Sequence, residues 1–226
     1  MTINLSQLRT AALQRADMEN TSFVSTSEIN SYINNSIEEL YDLIVLRYED
    51  YYVETIQFTI ASGSDGYTFP NPIYKLKGLD LQSGSDWLNV DKFNFEERNR
   101  GQQHLLLTSI YADVKYRLIG STIKIVPADQ APNTYRLWYI PRFQDLVNDS
   151  DTLQADLEQW HDYVIVDTAI KCLQKEESDV SVFMAQKMAL IQRITNAASN
   201  RDAGQPETVT RIRNRYEEDE FWFYDR

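Results

Sequence analysis

Apolar residues recur at helical spacing near the start of the chain. They predict a short first helix that ends near Asp17 and has an apolar face of Leu5, Leu8, Ala12 and Leu13. A capping box predicts the start of a second helix, because the Ser25 side chain can accept a free backbone amide while Glu28 reaches back. The apolar face of this second helix comprises Ile29, Ile33, Ile37, Leu40 and Ile44.

Between residues 51 and 148 the pattern changes to short runs rich in β-branched and aromatic residues, separated by turn signals. Residues 53–60 and 67–69 flank a segment with two glycines, which predicts a β-hairpin. Further strands are predicted at 76–81, 87–90, 114–118, 122–126 and 135–140, with a tight turn at 119–122 and a short helical insert at 95–100. Together these runs predict a small antiparallel sheet or barrel.

Helical periodicity returns after Asp149. One predicted helix ends at the charged run 175–177 and has the apolar positions Leu157, Trp160, Val164, Ala169 and Leu173. Ser178 is predicted to cap the next helix, whose apolar positions are Val180, Phe183, Met184, Met188, Ile191 and Ile194. The predicted fold is therefore α+β, with a four-helix bundle formed by residues 1–50 and 149–202 and interrupted by an inserted antiparallel β domain at 51–148.

Residues 203–226 do not continue the helical pattern, because Gly204 and Pro206 interrupt it. Three arginines, an acidic run at 217–220 and four consecutive aromatic residues follow. Exposed aromatic residues on a free tail promote aggregation, so we predict an extended C-terminal arm that docks on another protein. Twenty extended residues span roughly 65 Å. The predicted contact residues are Arg211, Arg213, Arg215, Tyr216, Phe221, Trp222, Phe223 and Tyr224.

The formal net charge of −12 argues against tight or sequence-specific binding of DNA, since neutralising phosphates is the main source of such affinity. Acidity favours solubility, and it also suits a surface past which DNA slides without sticking. The amino-terminal residues do not match a signal peptide, and no run approaches 18 apolar residues, so we expect no membrane-spanning segment.

No catalytic, cofactor or metal site is predicted. His104 and His161 each lack a second histidine at a metal-binding spacing, and Cys172 lies in an apolar helical stretch typical of a small buried residue. Two carboxylate pairs are candidates for acid–base chemistry: Glu38 with Glu39, and Glu158 with Asp162. The first pair points to two sides of a helix and the second is surrounded by solvated positions, so we expect a protein that is not an enzyme.

Two stretches carry a family resemblance. The first comprises RADM at 15–18, NTSFVS at 20–25 and the capped helix through ELYD at 39–42. The second comprises WHDYVIVDTAIK at 160–171, Leu173 and KEESD at 175–179. Together with the helix–β–helix order they resemble the head–tail connector proteins of tailed bacteriophages, the adaptor proteins of the neck that bind the portal. Within the second stretch, Asp167 and Lys171 suit either a buried pair or a pair between subunits.

The resemblance implies a structural protein of the virion neck that assembles in the host cytoplasm. It implies a homo-oligomeric ring, commonly a dodecamer, beneath the portal protein, with the C-terminal arm reaching onto the portal. The ring would extend the DNA channel, through which DNA passes without specific binding, and would provide the attachment site for a downstream tail or nozzle protein.

Three other interpretations stay open at this point. The chain fits another structural component of the tail, such as a tail-tube or fibre-attachment protein. It also fits a cell-wall hydrolase on a helical scaffold, which would depend on Glu158 or Asp162, and a host cytoplasmic binding module.

Overall fold

The computed structural model describes residues 3–19, 23–70, 72–98 and 114–201. These residues form five α-helices and a curled seven-stranded sheet, which confirms the α+β class. The helices are α1 (Leu5–Arg15), α2 (Thr26–Arg47), α3 (Ala155–Glu158), α4 (His161–Lys175) and α5 (Ser181–Ser199). The strands are β1 (Glu54–Thr59), β2 (Gly66–Thr68), β3 (Ile73–Ser83), β4 (Asp86–Lys92), β5 (Lys115–Ile119), β6 (Thr122–Val126) and β7 (Thr134–Pro141). The four-helix bundle and the division at residues 50 and 149 stay predictions.

The helices pack around α4, which contacts α1, α2 and α5, and α2 also contacts α5. Their shared apolar core is fully buried at Leu5, Leu8, Ile33, Ile37, Leu40, Ile44, Leu157, Val164, Ala169 and Ile194. The helices α1, α2 and α4 contribute residues that their periodicity placed on one face, because burying that stripe is what stabilises an amphipathic helix. No helix among the described residues is long and apolar enough to span a membrane.

The sheet has a second apolar core, centred on Phe58, Leu79, Leu81, Ile123, Tyr135 and Leu137. Its strand order is β1-β7-β3-β4-β5-β6-β2. All neighbouring strands are antiparallel except β4 and β5, which pair in parallel through Asp91 with Lys115 and Lys92 with Tyr116. The prediction of a wholly antiparallel sheet is therefore wrong at this pairing. More than twenty residues separate the two paired segments, and a connection of that length permits the crossover that parallel pairing needs.

The predicted hairpin between residues 53–60 and 67–69 is wrong. The strands β1 and β2 form at these positions, but β1 pairs with β7 over six residues and β2 pairs with β6 over three. The longer β7 offers β1 more main-chain hydrogen bonds than the three-residue β2 can offer. The two strands lie at opposite edges of the sheet, and its curl brings the rings of Phe58 and Tyr67 into a stack with centroids 4.3 Å apart.

Several local predictions are confirmed. Residues 122–126 form β6, and the preceding turn places Gly120 at a positive φ of 61°, which glycine adopts without strain. The Ser25 side chain accepts the Glu28 amide at 3.3 Å and so caps α2. The predicted helical insert at 95–100 is a single 3-10 turn at Phe95–Glu97.

Two helix boundaries differ from the prediction. The helix expected to run through Leu157 and Trp160 is divided into α3 and α4, with Trp160 at the break. Ser178 does not cap α5, since α5 begins at Ser181 and the Asp179 carboxylate accepts the Ser181 amide at 2.9 Å. Asp179 is closer to the free amides of the first turn, and Ser178 donates its hydroxyl to Glu176 instead.

Candidate assembly surface

The predicted docking residues of the arm lie outside the described residues. They are Arg211, Arg213, Arg215, Tyr216, Phe221, Trp222, Phe223 and Tyr224. The docking arm therefore stays a prediction.

Arg201, the last described residue, is held by contacts with Tyr51 and Asp156. Its guanidinium lies 3.5 Å from the ring centroid of Tyr51, and it donates to the Tyr51 carbonyl at 3.1 Å. Asp156 of α3 is 3.9 Å from the same guanidinium. Because Tyr51 lies between α2 and β1, these contacts hold the end of α5 at the junction between the helices and the sheet.

A buried charge network joins α2, α4 and α5. The Asp167 carboxylate of α4 is only 1% exposed and binds the ammonium groups of Lys171 at 2.7 Å and Lys187 at 2.6 Å. The Ser36 hydroxyl of α2 donates to the same carboxylate at 2.6 Å. Glu39 of α2 binds both lysines, at 3.1 and 3.0 Å, so two carboxylates balance two ammonium groups. Asp167 and Lys171 thus form a buried pair within one chain.

The network keeps Asp167 and Lys187 charged at neutral pH. Burial alone would raise the pKa of Asp167, but the hydrogen bonds from Lys171, Lys187 and Ser36 outweigh it, so this pKa lies below its usual value. Burial alone would lower the pKa of Lys187. The hydrogen bonds to the carboxylates of Asp167 and Glu39 have the larger effect, so this pKa lies above its usual value. Both groups therefore contribute charge to the packing of the three helices.

The network also sets which face of α5 is buried. Lys187 points at Asp167, so the inward stripe of α5 runs through Phe183, Lys187, Ile194 and Ala198. The prediction that Met184 and Met188 belong to the core is wrong, because this rotation leaves them 42% and 66% exposed. Val182, in the first turn of the same helix, is 66% exposed.

We call the exposed surface of the first three turns of α5 the α5 face. It consists of Ser181, Val182, Met184, Ala185, Gln186, Met188, Ala189 and Gln192. None of these residues carries a charge, although charged residues make up 25% of the chain. Protein interfaces are depleted of charged residues in their centre and enriched in methionine. The α5 face therefore has the chemistry of a protein-binding surface.

The residues considered for chemistry have structural contacts. His161 Nδ1 lies 2.8 Å from the Glu158 carbonyl oxygen, and its Nε2 lies 3.5 Å from the Asp162 carboxylate. Burial raises the pKa of the Cys172 thiol to about 11, which keeps it protonated at neutral pH. No group of three or more His, Cys, Asp or Glu residues suited to a metal ion occurs in the described part of the chain, and His104 lies outside that part.

Comparison with known protein families gives one match. The sequence model described as SU10 adaptor protein matches residues 3–213. This range contains all of the described residues, and it also includes Arg211 and Arg213 but ends before Arg215. No curated protein matches the chain.

Replacing Asp167 with alanine should destabilise the fold by roughly 3–5 kcal/mol, because it leaves two lysines facing the single carboxylate of Glu39. Urea unfolding at pH 7 measures this change. The matched control is Glu38→Ala. It removes an exposed carboxylate of α2 that lies 3.7 Å from Arg142, and it should cost less than about 1 kcal/mol. Equal costs for the two variants would show that the network does not hold the helices together.

The Asp167 contribution should also depend on pH in one direction. Its folded pKa lies below the unfolded value of about 3.9, so the stabilisation is fully present above that value and is lost as the pH falls through the folded pKa. The difference in unfolding free energy between the wild type and Asp167→Asn should therefore be constant from about pH 7 to pH 5 and should shrink at lower pH. A difference that grows on acidification would contradict this assignment.

Proposed function

The chain belongs to the SU10 adaptor protein family, a structural adaptor family of tailed bacteriophages, and we propose that it forms a ring beneath the portal of such a phage. The family match over residues 3–213 carries the proposal, because it spans the helices, the sheet and the first part of the arm. The proposed ring holds about twelve copies related by cyclic symmetry. It extends the DNA channel in the virion neck and provides the attachment site for a downstream tail or nozzle protein.

The acidic character of the chain supports this role. A net charge of −12 makes the chain as a whole repel DNA phosphates, so DNA passing through the proposed channel gains little attraction from release of its counterions.

The proposed contact between copies uses the α5 face. In a ring, each copy presents one surface to its neighbour on one side and a different surface to its neighbour on the other side. The exposed side chains of Val182, Met184 and Met188 lose contact with water when a second copy covers them, which stabilises association. Ala185 and Ala189 are small enough to let a neighbouring helix approach closely.

The proposed contact with the portal uses the arm. Arginine, tyrosine and tryptophan are the residue types that contribute most to binding energy in protein interfaces, and Arg211, Tyr216 and Trp222 are among the arm residues. The contacts of Arg201 set a common starting point for every arm of the ring. Repetition of one weak contact around the ring raises the overall affinity through multivalency.

Light scattering of the purified protein, alone and mixed with the portal from the same genome, tests the ring. The expected result is a portal complex whose added mass corresponds to about twelve copies. Deleting residues 216–226 should abolish this complex and leave the thermal unfolding midpoint unchanged, because the deleted residues lie beyond α5. If the full-length chain does not bind the portal, the adaptor proposal is wrong, and if the truncated chain binds as well as the full-length chain, only the arm proposal is wrong.

A charge on the α5 face tests the contact between copies. Met188→Glu should reduce the number of copies on the portal at least tenfold at a fixed protein concentration, since a buried unpaired carboxylate opposes association. The side chain is already 66% exposed, so the isolated chain should keep its unfolding midpoint. Gln57→Glu is the control, because Gln57 is exposed on β1 of the sheet and not on α5. A full complement of Met188→Glu copies on the portal would show that the contact lies elsewhere.

A further inference from the structure

A cleft lies on the outer surface of the sheet, where β3, β4 and β7 meet the segment that follows α2. It is lined by Asp50, Val53, Lys77, Gly78, Asp80, Asn89 and Trp138. None of these residues belongs to the α5 face or to the arm. The cleft combines one aromatic wall with several polar side chains, the composition typical of small-ligand sites.

The indole of Trp138 is held in one orientation. Its ring nitrogen donates to Asp80 Oδ2 at 2.8 Å, and the same oxygen accepts from Arg136 Nε at 3.0 Å and Nη2 at 2.8 Å. The Arg136 guanidinium also lies 5.1 Å from the Trp138 ring and 4.5 Å from the ring of Trp87. Trp138 is nevertheless 37% exposed, so the structure presents a fixed aromatic surface to solvent. A ligand that stacks on this surface loses little entropy to ordering of the protein.

Space lies beside the indole because of a local feature of β3. The register of β3 against β7 shifts between Leu76 and Gly78, and Gly78 pairs with Trp138. A Cβ atom added at Gly78 would have no atom within 4 Å, which shows that the backbone there borders an open space. Register shifts of this kind are frequent next to binding sites, since they redirect side chains from the regular pleat.

The charges around the cleft cancel. Asp80 is paired with Arg136 at 2.8 Å, and Lys77 is paired with Glu49 at 3.0 Å and Asp50 at 2.8 Å. Lys75 also binds Glu49, so three carboxylates face three cations. The balance disfavours an ion as the ligand. The exposed amide of Asn89, directly across from Asp80, supplies both donors and an acceptor for a neutral ligand.

We propose that this cleft binds a neutral saccharide, with one sugar ring stacked on Trp138 and its hydroxyl groups bonded to Asn89, Asp80 and Asp50. A pyranose ring has an apolar face of C–H groups, which packs on the electron-rich face of an indole. Its edge carries neighbouring hydroxyls that donate to carboxylates and exchange hydrogen bonds with an amide. A stacked, uncharged ring with polar edges matches the fixed aromatic surface, the polar rim and the charge balance together.

Isothermal titration calorimetry of the full-length protein with cellohexaose, maltohexaose and hexa-N-acetylchitohexaose tests the proposal. At least one of the three probes should bind saturably and quench tryptophan fluorescence. Gly78→Val should weaken that binding at least tenfold, because a Cβ at this position has open space around it and the added side chain would occupy the space beside the indole, and Trp138→Ala should weaken it similarly. The matched control is Gln82→Val on the same strand, which should bind as the wild type does.

Two results overturn the proposal: no binding of any of the three probes, or binding that Gly78→Val leaves unchanged while its unfolding midpoint matches the wild type. Loss of portal binding in Trp138→Ala without any saccharide binding would assign the exposed indole to a protein contact instead. Neither of the two overturning results bears on the adaptor proposal, which depends on the α5 face and the arm.

Discussion

The buried carboxylate of Asp167 is the constraint on which the arrangement of the helices depends. A charge that is 1% exposed is tolerated only where other groups replace its water, and here two ammonium groups and a hydroxyl replace it. These groups come from α2, α4 and α5, so the three helices must approach in one register to satisfy it. Apolar side chains alone accept small rotations and shifts of a helix, whereas a shared carboxylate does not. The network therefore selects one packing among those that the apolar stripes permit.

The consequences extend to both candidate contacts of the proposed adaptor. Because Lys187 faces Asp167, α5 is rotated so that Met184 and Met188 face solvent as part of the α5 face. The same rotation and register bring Arg201, beyond the end of α5, onto Tyr51. One buried interaction thus determines the orientation of the α5 face and the position of Arg201.

The sequence predicted the features that depend on neighbouring residues and failed on those that depend on distant ones. The apolar faces of α1 and α2, the Ser25 cap and the turn before β6 follow from local spacing and are confirmed. The partner of β1 is β7, some eighty residues away, and no local pattern distinguishes it from the nearer β2. The predicted arm lies outside the described residues and stays a prediction.

Within the helices, polar residues decide which face of each helix is buried. The periodicity of α5 fits two rotations, one with Met184 and Met188 inward and one with Lys187 inward, and a lysine is normally assigned to solvent. Ser36 is likewise a polar residue at a buried position, since it lies between Ile33 and Leu40 on the apolar face of α2. A polar residue inside an apolar stripe indicates a buried partner, but only the structure shows that the partner of both is Asp167.

Contacts at the junction between the helices and the sheet fix the orientation of the sheet relative to α5. Tyr41 of α2 donates its hydroxyl to the Pro141 carbonyl of β7 at 2.7 Å and stacks on Tyr52 at 4.7 Å. Glu49 binds Lys75 and Lys77 of β3, and Arg201 binds Tyr51. The sheet is therefore tied to both α2 and the end of α5, so it cannot rotate without breaking several of these contacts. If copies of the protein meet through the α5 face, this junction gives every sheet of the ring the same orientation. The saccharide cleft would then be repeated at one level around the ring, because its lining includes Asp50 and Val53 of the same junction.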